Sequence, residues 1–256
     1  MHVSTVIMGA SCYSAGRVLG SPEADVLVID RTASVGGEYF NSYRYCSGWQ
    51  SDCSSETTRK LQREMQEKGA FDRPYADFFA LAPMLYRELM PLSGHFMLTT
   101  EIATITPCGS GFKLEVYNQS GRTEIVCDHL LDTVLAGKGR PLIASKRLNA
   151  AVIIDPATKP VFSNFKTWQG RGDNELFLSL EFDPATDWPT ARREFISRFE
   201  SETQRAGALI TSLAKEFDYE VADNGRQETI RFINPLCGNN PLAAIEAGIK
   251  QSSAGV

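Results

Sequence analysis

The first forty residues alternate between short apolar runs and turns made of small residues. An apolar run over residues 3–8 leads into a turn from Gly9 to Gly16 and a short helical stretch. A second apolar run over residues 24–29 ends on Asp30. Apolar runs of this length between turn residues indicate buried strands. The pattern therefore predicts a strand–helix–strand unit of the kind that builds a parallel sheet.

The rest of the chain carries strand-like alternation interrupted by helical stretches. Glycine and asparagine turns separate apolar runs at 102–105, 112–117 and 123–127, which is typical of a β-meander. We predict further strands at residues 95–98, 129–134, 149–154, 160–165, 175–182, 217–221 and 229–233. We predict helices from Ser55, over residues 76–90, over residues 189–217 with Thr190 as the cap, and from Pro241 onward.

The turn after the first apolar run has the spacing of a dinucleotide-binding loop. Small residues at Gly9, Ser11 and Ser14 let the backbone approach a pyrophosphate, and the next helix offers free N–H groups at its N-terminus. Asp30 follows Gly9 by 21 residues, close to the spacing of about 20 at which an acid binds the ribose. Serine replaces two glycines of the motif, so a plain strand, turn and helix is the alternative interpretation.

Two other small-residue loops stand next to predicted elements. Gly36 and Gly37 follow the second strand, and paired glycines let a loop pass close to a ligand. Another loop leads into the last helix, whose N-terminus suits an anion or an electron-rich carbonyl. This terminal loop consists of Gly238, Asn239, Asn240, Pro241 and Leu242. The alternative interpretations are a flexible turn and a well-capped terminal helix.

Composition narrows the class of protein. The 256 residues carry 26 basic and 31 acidic side chains, and this net charge of −5 argues against a nucleic-acid or anionic-membrane partner. No apolar segment reaches the length of a membrane helix, and the N-terminus shows no signal-peptide pattern. The six cysteines and three histidines lack metal-ligand spacing. We therefore expect a cytoplasmic protein with reduced thiols, no metal site and a small-molecule substrate as its partner.

Together these segments resemble FAD-dependent oxidoreductases of the glutathione-reductase-like (two-dinucleotide-binding-related) flavoprotein superfamily. The resemblance rests on VIMGASCYSAG, VLVIDR and VGGEYF near the N-terminus, DHLLDTV in the middle and GNNPLAAIEAG near the end. It implies an α/β fold: a Rossmann-like FAD-binding domain with a three-layer parallel sheet and β-meander, plus a small interleaved β-rich (α+β) substrate or cap domain. The implied boundaries are residues 1–45, 90–140 and 225–256 for the FAD-binding domain, 46–89 for a helical insertion and 141–224 for the substrate domain.

The resemblance also implies roles for individual residues in holding FAD. Gly9, Ser11 and Ser14 would flank the pyrophosphate, and Asp30 would bind the adenosine ribose. The remaining implied contacts are Arg31 and the Ile102 backbone with the adenine, Gly36 and Gly37 with the pyrophosphate or flavin, and Gly238, Asn239, Asn240, Pro241 and Leu242 with the pyrophosphate or isoalloxazine. The chain departs from the family where Asp132-Thr133-Val134 stands in place of A-T-G and where Cys237-Gly238-Asn239 replaces Gly-Asp.

The implied reaction is oxidation of a small metabolite by hydride transfer to the flavin. The sequence identifies no base; Tyr43 and Arg44 are the candidates for catalysis, and Lys138 and Arg140 for binding an anionic substrate. The chain has no room for a second, NAD(P)H-binding domain, so we expect reduction by its own substrate or membership of a larger complex. A homo-oligomer is the other quaternary state that the sequence leaves open. The alternative functions are a thiazole-synthase-like adenine-dinucleotide-binding protein and a non-catalytic FAD-binding subunit.

Overall fold

The computed structural model describes residues 1–51, 53–70, 77–135, 143–158, 160–170, 172–222 and 230–253. Its strands are β1 (His2–Met8), β2 (Val26–Ile29), β3 (Phe96–Met97), β4 (Glu101–Cys108), β5 (Gly111–Asn118), β6 (Gly121–Asp132), β7 (Ile143–Ile153), β8 (Lys166–Gln169), β9 (Glu175–Phe182), β10 (Leu209–Leu213), β11 (Asp218–Val221) and β12 (Arg231–Phe232). Its α-helices are α1 (Cys12–Gly20), α2 (Gly37–Phe40), α3 (Glu56–Glu67), α4 (Leu81–Leu89), α5 (Trp188–Ser201) and α6 (Pro241–Ser253), and 3₁₀ turns span Phe78–Ala80 and Met90–His95.

The first sheet combines a parallel part with an antiparallel meander. Its strand order is β3-β2-β1-β6-β5-β4, and β12 pairs with the carboxyl end of β6. β3, β2, β1, β6 and β12 run parallel, whereas β4, β5 and β6 are antiparallel neighbours. β6 belongs to both parts because its first half, Gly121–Cys127, pairs with β5 while its second half, Val126–Asp132, pairs with β1. The sequence prediction of a parallel unit followed by a meander is confirmed.

The second sheet is antiparallel throughout. Its order is β10-β7-β9-β8, with β11 also paired to β7. Apolar side chains of β7 and β9 alternate toward α5, where Phe195 and Phe199 lie in the same buried cluster. This alternation is what a strand with one covered face requires.

Helices cover the first sheet on one face. α1, α4 and α6 contribute to a buried cluster that includes Ile7 and Val28. α1 and α6 pack directly on each other at Gly16 and Gly248. None of the helices within the described residues has the length and apolar character needed to cross a membrane. All six cysteines are free thiols, as the sequence predicted.

The long helix predicted over residues 189–217 is wrong. α5 ends at Ser201, and the chain then forms β10. Ala206 and Gly207 both have positive φ, which breaks a right-handed helix. The helix cap is also different, because Asp187 rather than Thr190 is the N-cap, and its carboxylate accepts a hydrogen bond from the Thr190 N–H at 2.8 Å.

The strand predicted over residues 160–165 is also wrong. This segment is irregular and precedes β8. Its apolar side chains pack into the core, where Phe162 stacks on Phe199 and Phe165 contacts Phe195. Its backbone is bonded to a side chain instead of a strand: the Asn164 N–H donates to the Glu202 carboxylate at 2.8 Å.

Candidate functional site

A cavity of about 810 Å³ opens beside the carboxyl ends of three adjacent parallel strands, β2, β1 and β6. Ligands of open α/β sheets bind at this edge, where the loops leave the strands. β4 and the segment from Lys215 to Phe217, which precedes β11, complete the wall. The volume is within the range of roughly 300–1,000 Å³ that small-molecule sites occupy.

The loop between β1 and α1 is held by three hydroxyl groups. Ser11 is the N-cap of α1, and its Oγ accepts a hydrogen bond from the Ser14 N–H at 3.1 Å. Ser14 Oγ donates to the Gly9 carbonyl at 2.8 Å, and Thr133 Oγ1 donates to the carbonyl of Met8 at 2.9 Å. The two serines that stand in for glycines of the motif therefore stabilise the loop from inside.

Asp30 turns its carboxylate back toward this loop. It accepts hydrogen bonds from the N–H groups of Ala10 at 2.7 Å and Thr32 at 2.6 Å. A carboxylate has about four acceptor sites, so lone pairs stay available to a ligand hydroxyl. Asp30 is part of the cavity wall, which is the position the sequence motif requires of a ribose-binding acid.

The glycine pair lies against the same loop. The Gly36 N–H donates to the Ala10 carbonyl at 2.7 Å, and Gly36 has a φ of 79°. A Cβ at Gly36 would stand 2.8 Å from Cys12 Sγ, so only glycine lets the chain pass α1 here. Two segments that were singled out separately in the sequence are thus neighbours in space, and Gly37 lines the cavity.

Glu38 occupies the N-terminus of α1. Its Oε1 accepts a hydrogen bond from the Cys12 N–H at 2.7 Å. Burial raises the pKa of Glu38 to about 8; the hydrogen bond from Cys12 opposes this shift, while the charges of Glu216 and Asp30 add to it. A carboxyl group therefore stands where the helix dipole favours an anion.

The cavity wall is acidic overall. Its described lining contains Asp30, Glu38, Glu101, Asp132 and Glu216, against Arg31 and Lys215. Ile102 and Ile105 from β4 supply an apolar side of the wall. The cavity therefore has an apolar side formed by β4 and a polar side beside α1.

The structure brings together only part of the predicted site. Gly9, Ser11, Asp30, Arg31, Gly37 and Ile102 line the cavity, whereas Ser14 and Gly36 support it from behind. The terminal loop lies against residues 47–48 instead: the Ser47 N–H donates to the Asn239 carbonyl at 3.1 Å, and the Asn240 amide donates to the Ser47 carbonyl at 2.8 Å. A flavin contact by Gly238, Pro241 or Leu242 stays a prediction.

The catalytic candidates have other partners in the structure. Tyr43 Oη donates to Ser212 Oγ at 3.1 Å, and the Arg44 guanidinium forms an ion pair with buried Asp218. Both side chains therefore contact the second sheet, and their catalytic role stays a prediction. Lys138 and Arg140 lie outside the described residues.

Sequence reasoning did not single out Glu38, Thr133 or Glu216 as site residues. Thr133 was noted only as a departure from A-T-G, although a hydroxyl directly after a central strand can bond the neighbouring loop. Glu38 follows the glycine pair, and an acid beside a suspected anion site was the available signal. Glu216 carries no sequence signal, because only the fold brings it to within 3.0 Å of Asn41, 175 residues away.

Comparison with known proteins shows a shared fold and little sequence similarity. p-Nitrophenol 4-monooxygenase PnpA from Pseudomonas putida DLL-E4 superimposes with a TM-score of 0.60 and 11% identity, covering 98% of this chain and 78% of the other. CabE, an aromatic hydroxylase from angucycline biosynthesis, gives 0.60 and 12%, covering 98% and 62%. Aklavinone-11 hydroxylase, in a ternary complex with FAD and aklavinone, gives 0.55 and 14%, covering 98% and 61%.

These similarities establish the fold of the chain as one that hydroxylases also have. The chain spans less than two thirds of the length of CabE and of aklavinone-11 hydroxylase. No family model and no curated protein matches the sequence. The glutathione-reductase-like assignment made from the sequence stays a prediction, because the structural neighbours named here are hydroxylases and a monooxygenase.

Proposed function

We propose that this chain is an FAD-dependent oxidoreductase acting on a small organic molecule. The observation that carries the proposal is the convergence of Gly9, the N-terminus of α1 and Asp30 on one cavity at the carboxyl edge of a parallel sheet. The fold shared with aklavinone-11 hydroxylase, which is solved with FAD, supports it.

The residues present fit the adenosine and diphosphate portions of FAD. Gly9 has a φ of 98° and Thr133 fills the space of a Cβ, so only glycine lets the loop turn here beside the α1 N-terminus. Asp30 would accept from the ribose hydroxyls, Ile102 and Arg31 would flank the adenine, and the α1 amides would receive the diphosphate. Glu38 is the acid whose side chain already occupies the α1 N-terminus, and its charge opposes a diphosphate there.

When bound, FAD supplies a two-electron acceptor next to the substrate. The chain's own contribution is to hold the cofactor by the cavity wall and to orient the substrate. The hydride transfer from substrate expected from the sequence stays a prediction. The hydroxylase fold favours hydroxylation of an aromatic compound as a second candidate reaction.

A group of aromatic rings lies beside the second sheet, outside the residues that line the cavity, and is a separate surface for an aromatic substrate. Trp168 stacks on Phe177 with 5.6 Å between ring centroids, and Tyr43 contacts both Phe177 and Phe79 edge-on. Tyr45, 45% exposed, meets Trp168 at 5.7 Å. Partly exposed aromatic faces are suited to stacking against a planar ligand.

The first test is whether the purified protein binds FAD. We expect a yellow protein, or one that becomes yellow on reconstitution, with quenched flavin fluorescence. Ser11→Asp should abolish binding, because it sets a fixed negative charge at the α1 N-terminus. Ser11→Asn is the matched control: it has the same shape and is an equally good N-cap but is uncharged. Colourless protein that takes up no FAD would overturn the proposal and favour a thiazole-synthase-like adenine-dinucleotide-binding protein.

A second measurement separates an enzyme from a non-catalytic subunit. The reconstituted protein is reduced anaerobically and then exposed to air with a panel of phenolic compounds. Oxidation or hydroxylation of a phenol supports the enzyme. Bound flavin that turns over none of the panel favours the non-catalytic FAD-binding subunit of a larger complex.

A further inference from the structure

The Glu38 carboxyl group stands at the position that the proposed cofactor's diphosphate needs. Cys12 is the first residue of the nine-residue helix α1, and its N–H donates to Glu38 Oε1 at 2.7 Å. The N-terminus of a helix offers its free amides and the positive end of its dipole to one anion. Glu38 and a phosphate would therefore use the same donors.

We propose that Glu38 controls cofactor affinity by competing with the diphosphate for the N-terminus of α1, so that FAD binds to the protonated form of Glu38 and binding takes up a proton wherever Glu38 is ionised in the apoprotein. This inference rests on the proposed function, because it concerns the same cavity. It assigns Glu38 as the residue that sets how tightly, and at which pH, a dinucleotide is held.

The backbone of Glu38 is fixed in place. Its carbonyl accepts a hydrogen bond from Ser42 Oγ at 2.6 Å, and the N–H of Gly36, two residues earlier, donates to the Ala10 carbonyl at 2.7 Å. The side chain is thus held beside α1 by the same loop that lines the cavity. Neutralisation of the carboxyl group removes the negative charge that repels a phosphate at this position.

Within the described residues Glu38 forms no ion pair, and the two cations of the cavity wall, Arg31 and Lys215, are each next in sequence to an acid of the same wall. Its neighbours in the cavity wall include the acids Asp30 and Glu216. The nearby cation Arg44 is already paired with Asp218. The other titratable groups that interact with it are neutral thiols and phenols, namely Cys12, Tyr39, Cys46, Tyr86 and Cys237. A diphosphate placed beside an ionised Glu38 would add two negative charges to an acidic wall.

The same environment favours the protonated form of Glu38 near neutral pH. Burial raises the pKa of Glu38 to about 8, with Glu216 and Asp30 adding to the shift against the hydrogen bond from Cys12. If only the protonated form binds FAD, the apparent affinity follows the protonated fraction. Between pH 7 and pH 9 that fraction, and hence the affinity, falls by about tenfold.

The experiment is a fluorescence titration of the apoprotein, residues 1–256, with FAD at pH 7 and pH 9. The wild-type dissociation constant should be about tenfold higher at pH 9 than at pH 7. Glu38→Gln keeps an acceptor for the Cys12 N–H but cannot ionise, so its dissociation constant should be the same at both pH values. Glu101→Gln is the matched control, since it removes a carboxylate from the same wall on β4 and should retain the pH dependence.

A second measurement follows the stability of the apoprotein against pH, without FAD. The pKa of Glu38 is raised on folding, so its contribution to the stability of the apoprotein is complete below pH 4.5 and is lost as the pH rises through about 8. Glu38→Gln should flatten this part of the stability profile in urea unfolding. This inference alone is overturned if wild type binds FAD equally at pH 7 and pH 9 and Glu38→Gln binds FAD no more tightly than wild type at pH 9. Absence of FAD binding by wild type, Glu38→Gln and Glu101→Gln overturns the proposed function together with it.

Discussion

At the scale of single residues, the cavity depends on how closely Gly9 approaches the strand end of β6. Gly9 has a φ of 98°, and a Cβ placed on it would stand 2.6 Å from Thr133 Oγ1. Thr133 cannot move away freely because it is buried and bonded to two backbone carbonyls. Two separate penalties, backbone strain and crowding, therefore act on any side chain at this position.

Gly9→Ala should lower the free energy of unfolding by about 3 kcal/mol or more, because both penalties apply. Gly121→Ala is the control, since Gly121 has a similar φ of 102° but open space around its Cβ position. Gly121→Ala should lower the free energy of unfolding by the backbone strain alone, about 1–2 kcal/mol. Urea unfolding followed by tryptophan fluorescence measures both. Equal losses for the two variants would show that Thr133 does not crowd the loop.

At the scale of elements, α6 caps α3 with a carboxylate. Glu246 on α6 is 8% exposed and accepts hydrogen bonds from the hydroxyls of Ser54 and Thr58 and from the Ser55 N–H at 3.1 Å. Ser55 is the N-cap of α3. Burial opposes ionisation of Glu246, but these hydrogen bonds outweigh it and lower its pKa to about 2. Both helices are therefore fixed to each other by one ionised group.

This cap predicts a defined loss of stability in acid. The folded pKa of Glu246 is depressed from 4.5 to about 2, so the stabilisation is present above pH 4.5 and is lost as the pH falls toward 2. Glu246→Gln should lower the free energy of unfolding at pH 7 by up to about 3 kcal/mol and by little at pH 2. Glu67→Gln removes an exposed carboxylate of α3 and should change little at either pH. A constant deficit of Glu246→Gln from pH 7 to pH 2 would contradict the cap.

At the scale of the whole molecule, a short segment after α2 connects the two sheets. The Asn149 amide on β7 donates to the Ser42 carbonyl at 2.8 Å, and the Lys215 N–H donates to the Asn41 carbonyl at 2.9 Å. Tyr43 has a positive φ of 52°, an unusual conformation for a residue with a side chain. The strain indicates that these contacts hold the segment in place.

The parts of the fold that follow from local periodicity were the parts that the sequence predicted. β9 was predicted with its bounds, and the meander followed from alternation between glycine turns. The end of α5 was missed because a positive φ at Ala206 is not visible in an apolar stripe. The loop at Gly9 and the acid at Asp30 lie on one βαβ unit, so their spacing sufficed to predict that both line one cavity.

Contacts between distant segments could not be predicted in this way. Glu38 reaches Cys12 across 26 residues, and Glu216 reaches Asn41 across 175. Spacing along the chain carries no information about such pairs, because they depend on how whole elements pack. The roles predicted for Arg44 and the terminal loop stay predictions, and their contacts with Asp218 and Ser47 are further pairs that spacing could not reveal.

The ion pair of Arg44 with Asp218 predicts how firmly the two sheets are joined. The Asp218 side chain is 3% exposed, and burial raises its pKa although Arg44 and Arg147 both oppose the shift. Arg44→Met leaves the buried carboxylate with Arg147, at 3.8 Å, as its cationic partner, and should lower the free energy of unfolding by about 3 kcal/mol. Adding Asp218→Asn should recover part of that loss, because no buried charge is then left without its partner.

Arg198→Met is the control: it removes a solvent-exposed helical pair with Glu194 and should lower the free energy of unfolding by about 0.5 kcal/mol or less. A double-mutant cycle in urea measures these values, and a loss for Arg44→Met no larger than that for Arg198→Met would mean that the pair does not join the sheets.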